Sequence, residues 1–124
     1  MNIIECISRT DALRPNGFSK EEKIAWLSEL DGRVKREIID ECEDGDKITF
    51  SGYDENTPND TELLIPAPYD DIYIKWLCSQ IDYYNNEYQK YNNSAYAFNS
   101  LFSVFAKRYS SEHAAKRKST RFIF

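Results

Sequence analysis

The sequence predicts a mainly α fold. It reads as a small bundle of three to four helices closed by a C-terminal antiparallel αα-hairpin, with a long extended or β-like loop between helices and an extended C-terminal tail. Three observations carry that expectation. Apolar residues recur at Ile74, Leu77, Ile81, Tyr84, Tyr88 and Tyr91 in alternating steps of three and four, which draws one stripe down a helix about 30 Å long. After Asn92-Asn93 the same spacing resumes at Ala95, Phe98, Phe102, Phe105 and Tyr109. Upstream, Ser19-Lys20-Glu21-Glu22 is a capping box ahead of a further stripe, in which serine and glutamate each satisfy the other's free backbone amide.

Taken in order, Ile3, Ile4, Ile7 and Leu13 form a weak helical stripe that Pro15-Asn16-Gly17 stops. The helix opened by Ser19 is expected to run to about Cys42 and to bury Ile24, Leu27, Val34 and Ile38. Glu21 and Glu22 complement the positive end of its dipole. Gly32 weakens it by up to about 1 kcal/mol and suggests the close approach of another backbone. Between Glu43 and Pro68 the pattern changes. An acidic turn (Glu43 to Asp46), an alternating Ile48 and Phe50, a polar loop from Tyr53 to Asp60 and the run Leu63-Leu64-Ile65 fit two short strands, or extended arms round a mobile loop.

Pro66 and Pro68 end the extended segment, Asp70 is the expected N-cap of the next helix, and Tyr69 is expected to staple onto Ile74. Asn92-Asn93 is read as the hairpin turn, with Asn93 or Ser94 capping the last helix. A short turn there makes the two helices antiparallel neighbours whose facing residue numbers add to about 186. The expected pairs are Tyr88–Phe98, Tyr84–Phe102, Ile81–Phe105 and Leu77–Tyr109, so the hairpin core is Leu77, Ile81, Tyr84, Tyr88, Phe98, Phe102, Phe105 and Tyr109. The tyrosine hydroxyls need water or a partner, which puts this seam near an edge of the core. The last helix is expected to fray around Glu112–Ala115, dividing the chain into a helical domain, 1–115, and a tail, 116–124.

With 124 residues, 41% hydrophobic and 30% charged, the chain is expected to be one globular, soluble domain. No apolar run approaches the roughly 20 residues of a membrane span, and the first residues lack a basic-then-apolar leader. Cys6, Cys42 and Cys78 are widely spaced, with no C-x-x-C, and His113 is the only histidine. Three reduced, half-buried thiols fit better than disulfides or a metal, and no cofactor is expected. Gly-rich phosphate loops, G-x-S-x-G and H-E-x-x-H are missing from the sequence, and capping accounts for the paired carboxylates Asp70-Asp71. The chain therefore reads as no enzyme. Its acidic clusters lack calcium-loop spacing and read as solvated.

Two features point instead to partners. Tyr73, Trp76 and Tyr83 lie on a second face of the helix after Asp70. With Trp26 they are either covered inside a monomer or form a subunit interface, which tyrosine and tryptophan favour. The charge is also lopsided: residues 107–124 carry a net +5 and the remaining 106 residues −10. Lys116, Arg117, Lys118 and Arg121 lead into Phe122-Ile123-Phe124, a β-prone apolar end. Such a segment suits strand addition to another protein, steered by its basic residues, with phosphate contacts to nucleic acid as the alternative.

The runs ALRPNGFSKEEKIAWLSELDGRVKREII, LLIPAPYDDIYIKWL, QIDYYNNEYQKYNNS and AFNSLFSVFAKRY, covering Ala12 to Tyr109, resemble a family of small tailed-bacteriophage proteins. These are head–tail connectors, or adaptors, of Firmicutes phages and prophages. The resemblance implies a structural virion protein of the neck, assembled in the host cytoplasm. Copies would form a ring of about twelve beneath the portal, dock a stopper or tail-completion protein, and let DNA pass through the channel without sequence-specific binding. It also implies that the C-terminal segment grips the portal, through Lys116, Arg117, Lys118, Arg121, Phe122, Ile123 and Phe124. The alternative function is a DNA-binding packaging accessory acting through the basic C-terminal segment.

Overall fold

The first helix, α1 (Ile3–Leu13), starts on an Asn2 capping box. The Glu5 amide donates to the Asn2 side chain at 2.9 Å, and the Asn2 amide donates to the Glu5 carboxylate at 3.2 Å. Helix α2 (Lys20–Glu37) starts on the Ser19 box as expected, with the Glu22 amide donating to Ser19 Oγ at 3.1 Å. Two short 3-10 turns follow, Ile39–Glu41 and Gly45–Lys47, and then α3 (Asp71–Tyr84) and α4 (Tyr88–Glu112). This computed structural model describes residues 1–116. Among them the fold is a small four-helix bundle without named strands. Helix α3 is its centre and packs against α1, α2 and, along most of its length, α4.

The hairpin turn lies seven residues earlier than its spacing suggests. Asn85, Asn86 and Glu87 make it, with Asn86 in the left-handed region at φ 59° and the Glu87 amide donating to the Asp82 carbonyl at 2.9 Å. Asn92, Asn93 and Ser94 instead lie inside α4. Facing residue numbers therefore add to about 174 rather than 186: Trp76 meets Phe98, Tyr69 meets Phe105 and Tyr83 meets Tyr91. None of the four expected pairs forms part of this register. Leu77, Ile81, Phe98 and Phe105 are buried as expected, and Phe102 and Tyr109 are half-buried against the core. Tyr84 and Tyr88 are 55% and 60% exposed, so they leave the core list. The reason is geometric. A three-and-four stripe runs on through a turn without recording it, and the turn carries Tyr84 and Tyr88 round to the free tip.

Other expectations give way at element ends. Helix α2 stops at Glu37 rather than Cys42. A Cβ at Gly45 would run into the Ile39 carbonyl, so it is Gly45 that marks close backbone approach. A Cβ at Gly32 would meet only the edge of the Phe50 ring, at 3.8 Å. Asp70 makes no capping hydrogen bond, and Tyr69 packs on Phe105 instead of serving as a staple. Ile4 and Leu13 are exposed, leaving Ile3, Cys6 and Ile7 as the inner face of α1. All three cysteines are free and buried, deeper than expected. Burial pushes the Cys6 thiol up to about 12, which leaves little thiolate to react.

The segment from 48 to 70 forms no strand pair. It is laced to the helices by hydrogen bonds centred on Asp31, a fully buried carboxylate on α2. The Tyr53 hydroxyl donates to Asp31 at 2.5 Å, the Tyr73 hydroxyl at 2.6 Å and the Leu64 amide at 3.1 Å. The Ile65 amide in turn donates to the Tyr73 oxygen at 2.6 Å. Gly52, at φ 100°, takes the left-handed turn that brings the Tyr53 amide onto Ser28 Oγ. Residues 59–63 pair with the start of α1, the Ile3 amide donating to Thr61 and the Leu63 amide to Met1. The polar loop is built by its own bonds, including the Asp54 amide to Thr57 Oγ1 at 2.9 Å.

A second buried carboxylate, Asp82, ties three helices together. Arg14, just after α1, donates to its two oxygens at 2.8 and 2.9 Å. Ser94 on α4 donates to the same group at 2.9 Å. This two-point guanidinium–carboxylate pair is the strong form of the contact. Burial pushes the Asp82 carboxyl up, and the bonds from Arg14 and Ser94 outweigh it, so the group sits below the ordinary carboxylate value. For Asp31 the balance is reversed: burial dominates the bonds from Tyr53, Tyr73 and Leu64, and the carboxyl sits above that value.

Two outcomes follow for stability. Asp31→Ala strands two tyrosine hydroxyls and one amide, and is expected to cost more than about 3 kcal/mol in urea denaturation. A loss below about 1 kcal/mol would contradict the role given to Asp31. The stability supplied by Asp82 is fully present above the unfolded-state value near pH 4 and is lost as pH falls through its lower folded value. Asp82→Asn should therefore flatten the acid limb of a stability–pH curve measured between about pH 2 and 5.

Candidate interaction surfaces

Helix α4 has 25 residues, so its two ends stand about 37 Å apart at 1.5 Å per residue. Each end carries a distinct surface. At the hairpin tip five rings run in unbroken contact across the bundle. Phe18, in the α1–α2 connection, meets Trp26 edge-on at 5.3 Å, and Trp26 stacks flat on Tyr84 at 5.6 Å. Tyr84 meets Tyr83 at 5.1 Å, and Tyr83 meets Tyr91 at 5.4 Å. Tyr88 stands at the start of α4, its hydroxyl donating to Asn86 at 3.0 Å. Tyr83, Tyr84 and Tyr88 are each about half exposed or more. Rings already held by rings lose little side-chain freedom when a partner covers them, which is why such surfaces favour association.

The opposite end is where the chain leaves the bundle. After Glu112 the backbone does not fray but pairs antiparallel with residues 41–43. The Glu43 amide donates to the Ala114 carbonyl at 2.8 Å and the Lys116 amide to the Glu41 carbonyl at 2.9 Å, around a Cys42–Ala115 bridge. His113 stacks on Tyr109 with ring centres 3.9 Å apart and places Nδ1 2.9 Å from the Asp44 carboxylate. An ionised carboxylate only accepts, so Nδ1 carries the proton. The bond from His113 holds the Asp44 carboxyl below its ordinary value. Three acids stand at the exit: Glu41 and Glu43, both exposed, in the pairing itself, and Asp44 against His113. Beside it, Pro66, Ala67, Pro68 and Tyr69 face Phe105, Arg108, Tyr109, Glu112 and His113 across a cleft of about 310 Å³.

Of the four aromatic residues expected at a subunit interface, the structure places two on the exposed tip: Trp26, half-buried, and Tyr83. Tyr73 is fully buried, its hydroxyl spent on Asp31 and Ile65, so it is a core residue. Trp76 is turned inward, packing on Phe98 and donating its indole N–H to the Trp26 carbonyl at 2.8 Å. Phe18, Tyr84, Tyr88 and Tyr91 join the tip in their place. The signal for them was the second Asn-Asn pair, Asn85-Asn86, which marks a turn as readily as Asn92-Asn93. Of the expected tail contacts, Lys116 is exposed at the exit. Arg117, Lys118, Arg121, Phe122, Ile123 and Phe124 lie outside the described residues.

Among the described residues, no helix is long and apolar enough to cross a membrane, and no cluster of three or more histidine, cysteine or acidic side chains is arranged to hold a metal ion. Comparison with protein-family models, curated proteins and solved structures finds no match to this chain.

The division between core and tip is testable by denaturation. Phe98→Ala should cost about 3–5 kcal/mol, as for any buried ring. Tyr88→Ala should change stability by no more than about 0.5 kcal/mol. Equal losses in the two variants would move Tyr88 back into the core.

Proposed function

We propose that this protein is a structural assembly adaptor. It acts through two separated surfaces on one small bundle, in the manner of the phage head–tail connectors that the sequence resembles. The observation that carries the reading is the anchored exit. Residues 114–116 are pinned to 41–43, so the basic and apolar segment 117–124 departs from a fixed point, while the aromatic tip stands free about 37 Å away. A segment launched this way can grip one partner, and the tip can pack against a neighbouring copy.

In the connector setting the tip residues Trp26, Tyr83, Tyr84 and Tyr88 join copies into a ring of about twelve. The segment from Lys116 to Phe124 grips the portal, a stopper or tail-completion protein docks on the ring, and DNA passes through without being read. The place of action is then the neck of a virion assembled in the host cytoplasm. No catalytic residue and no cofactor enter this reading. The alternative, a DNA-packaging accessory that binds DNA through residues 107–124, is disfavoured by the acids around the exit, which repel phosphates at the point where such a segment would meet them.

Deleting residues 117–124 separates the two. The adaptor reading expects portal capture to fall at least about a hundredfold, with DNA binding at background before and after. Intact portal capture, together with loss of a steeply salt-dependent DNA affinity, would support the packaging accessory instead.

A further inference from the structure

We propose that the cleft between the end of α1, α3 and α4 is a binding site for a small carboxylate on a phenyl-sized apolar body. Trp76 and Phe98 fill the α3–α4 groove on the side of α2. On the side of α1, Ser94 and Ala97 present only small side chains to Ile74 and Cys78, and a cleft of about 300 Å³ stays open. A cavity of about 150 Å³ already holds a benzene ring, so this one has room for a ring and a short arm. Leu13, Ile74 and Ala97 give it an apolar wall, as small-ligand sites generally have.

Charge names the ligand. Arg14 and Lys75 line the cleft, and among the described residues no acid does, in a chain whose net charge is −5. Arg14 is held still. Its Nε and Nη2 donate to Asp82, which leaves Nη1 without an acceptor among the described residues. Lys75 reaches Asp71 at 3.6 Å, and both side chains of that pair are partly exposed, so the pair is weak and readily gives way to a better acceptor. The Cys78 thiol does not compete for the cations: burial holds it above its ordinary value, against the pull of Arg14 and Lys75, and it stays neutral. A carboxylate answers the two cations, and an apolar body answers the wall.

The site is also set before a ligand arrives. Ile74 and Cys78 are buried, Ser94 is bonded to Asp82, and Arg14 is clamped on the same carboxylate. Little ordering is left to oppose binding. A free small acid fits better than a side chain of a partner protein. The cations line the same cavity as the apolar wall, and no standard side chain carries both a ring-sized apolar body and a carboxylate. The site goes beyond the adaptor reading and stands without it.

The test is an NMR titration of the full chain with phenylacetate, with neutral phenylacetamide as the control. The acid is expected to saturate with a Kd at or below about 1 mM. It should move the resonances of Ile74, Cys78 and Ala97 while those of Tyr53 and Tyr88 hold. The amide should bind at least about tenfold more weakly. Lys75→Gln, a change at the surface, should weaken the acid at least about threefold and leave the amide as it was. Ala97→Phe, which fills the cleft, should abolish binding of both, with the Tyr53 and Tyr73 resonances showing the bundle intact. Absence of a saturable shift with the acid overturns the proposal. So does equal affinity for acid and amide, or an acid affinity unmoved by Lys75→Gln. Binding of an acetyl-Phe-Asp peptide where the free acid is silent overturns it too, and would give the cleft to a partner's segment. No portal enters these measurements, so their failure and that of the adaptor reading are told apart.

Discussion

One buried carboxylate organises this molecule. Asp31 accepts from Tyr53, Leu64 and Tyr73, which come from two separate points of the long connection and from the central helix. An excursion of more than 30 residues between helices normally costs order without adding a core. Here it becomes part of the bundle because the buried Asp31 carboxylate accepts from two points along it. Leu63 and Ile65 are thereby carried inward to complete the apolar cluster. Burying the charge is unfavourable, as the raised carboxyl value records. Three donors, from Tyr53, Leu64 and Tyr73, offset part of that cost.

The second carboxylate, Asp82, does for the helices what Asp31 does for the connection. It meets Arg14 at the end of α1 and Ser94 in the first turns of α4. That three-way junction requires α4 to reverse at Asn85–Glu87. A reversal at Asn92-Asn93 would carry Ser94 away from Asp82 and leave the carboxylate with Arg14 alone. It would also keep Phe98 from Trp76 and Phe105 from Tyr69, two contacts that fill the groove between α3 and α4. Polar pairing and aromatic packing thus select the same register, as expected of a sequence whose local and global preferences agree.

This explains what could be read from the sequence and what could not. Helix existence was legible because three-and-four spacing and the Ser19 capping box are local signals, and the mainly α bundle follows from them. The hairpin's turn was not. Two Asn-Asn pairs compete, and the choice is made by Asp82 and Ser94, whose pairing spans the turn and leaves no periodic trace. The same blindness placed Tyr84 and Tyr88 inside and left Tyr73 open between the core and a subunit interface. An amphipathic stripe says that a residue faces something, but not whether that something is Asp31 or solvent. Residues 43–46 read as an acidic turn and 41–42 as the end of a helix, and nothing local announced that residues 113–116 would pair back onto 41–44 across the sequence.

The functional proposal depends on that last contact. If the exit is fixed and the aromatic tip is free, the bundle is a spacer with two working ends, and its own chemistry need not include a reaction. Native mass spectrometry of the full chain with a portal ring from the same genome tests this most directly. The adaptor reading predicts that the portal gains whole copies of the chain up to one per portal subunit, with no intermediate species dominating at saturation. A portal ring whose mass stays unchanged at every ratio of added chain would contradict it.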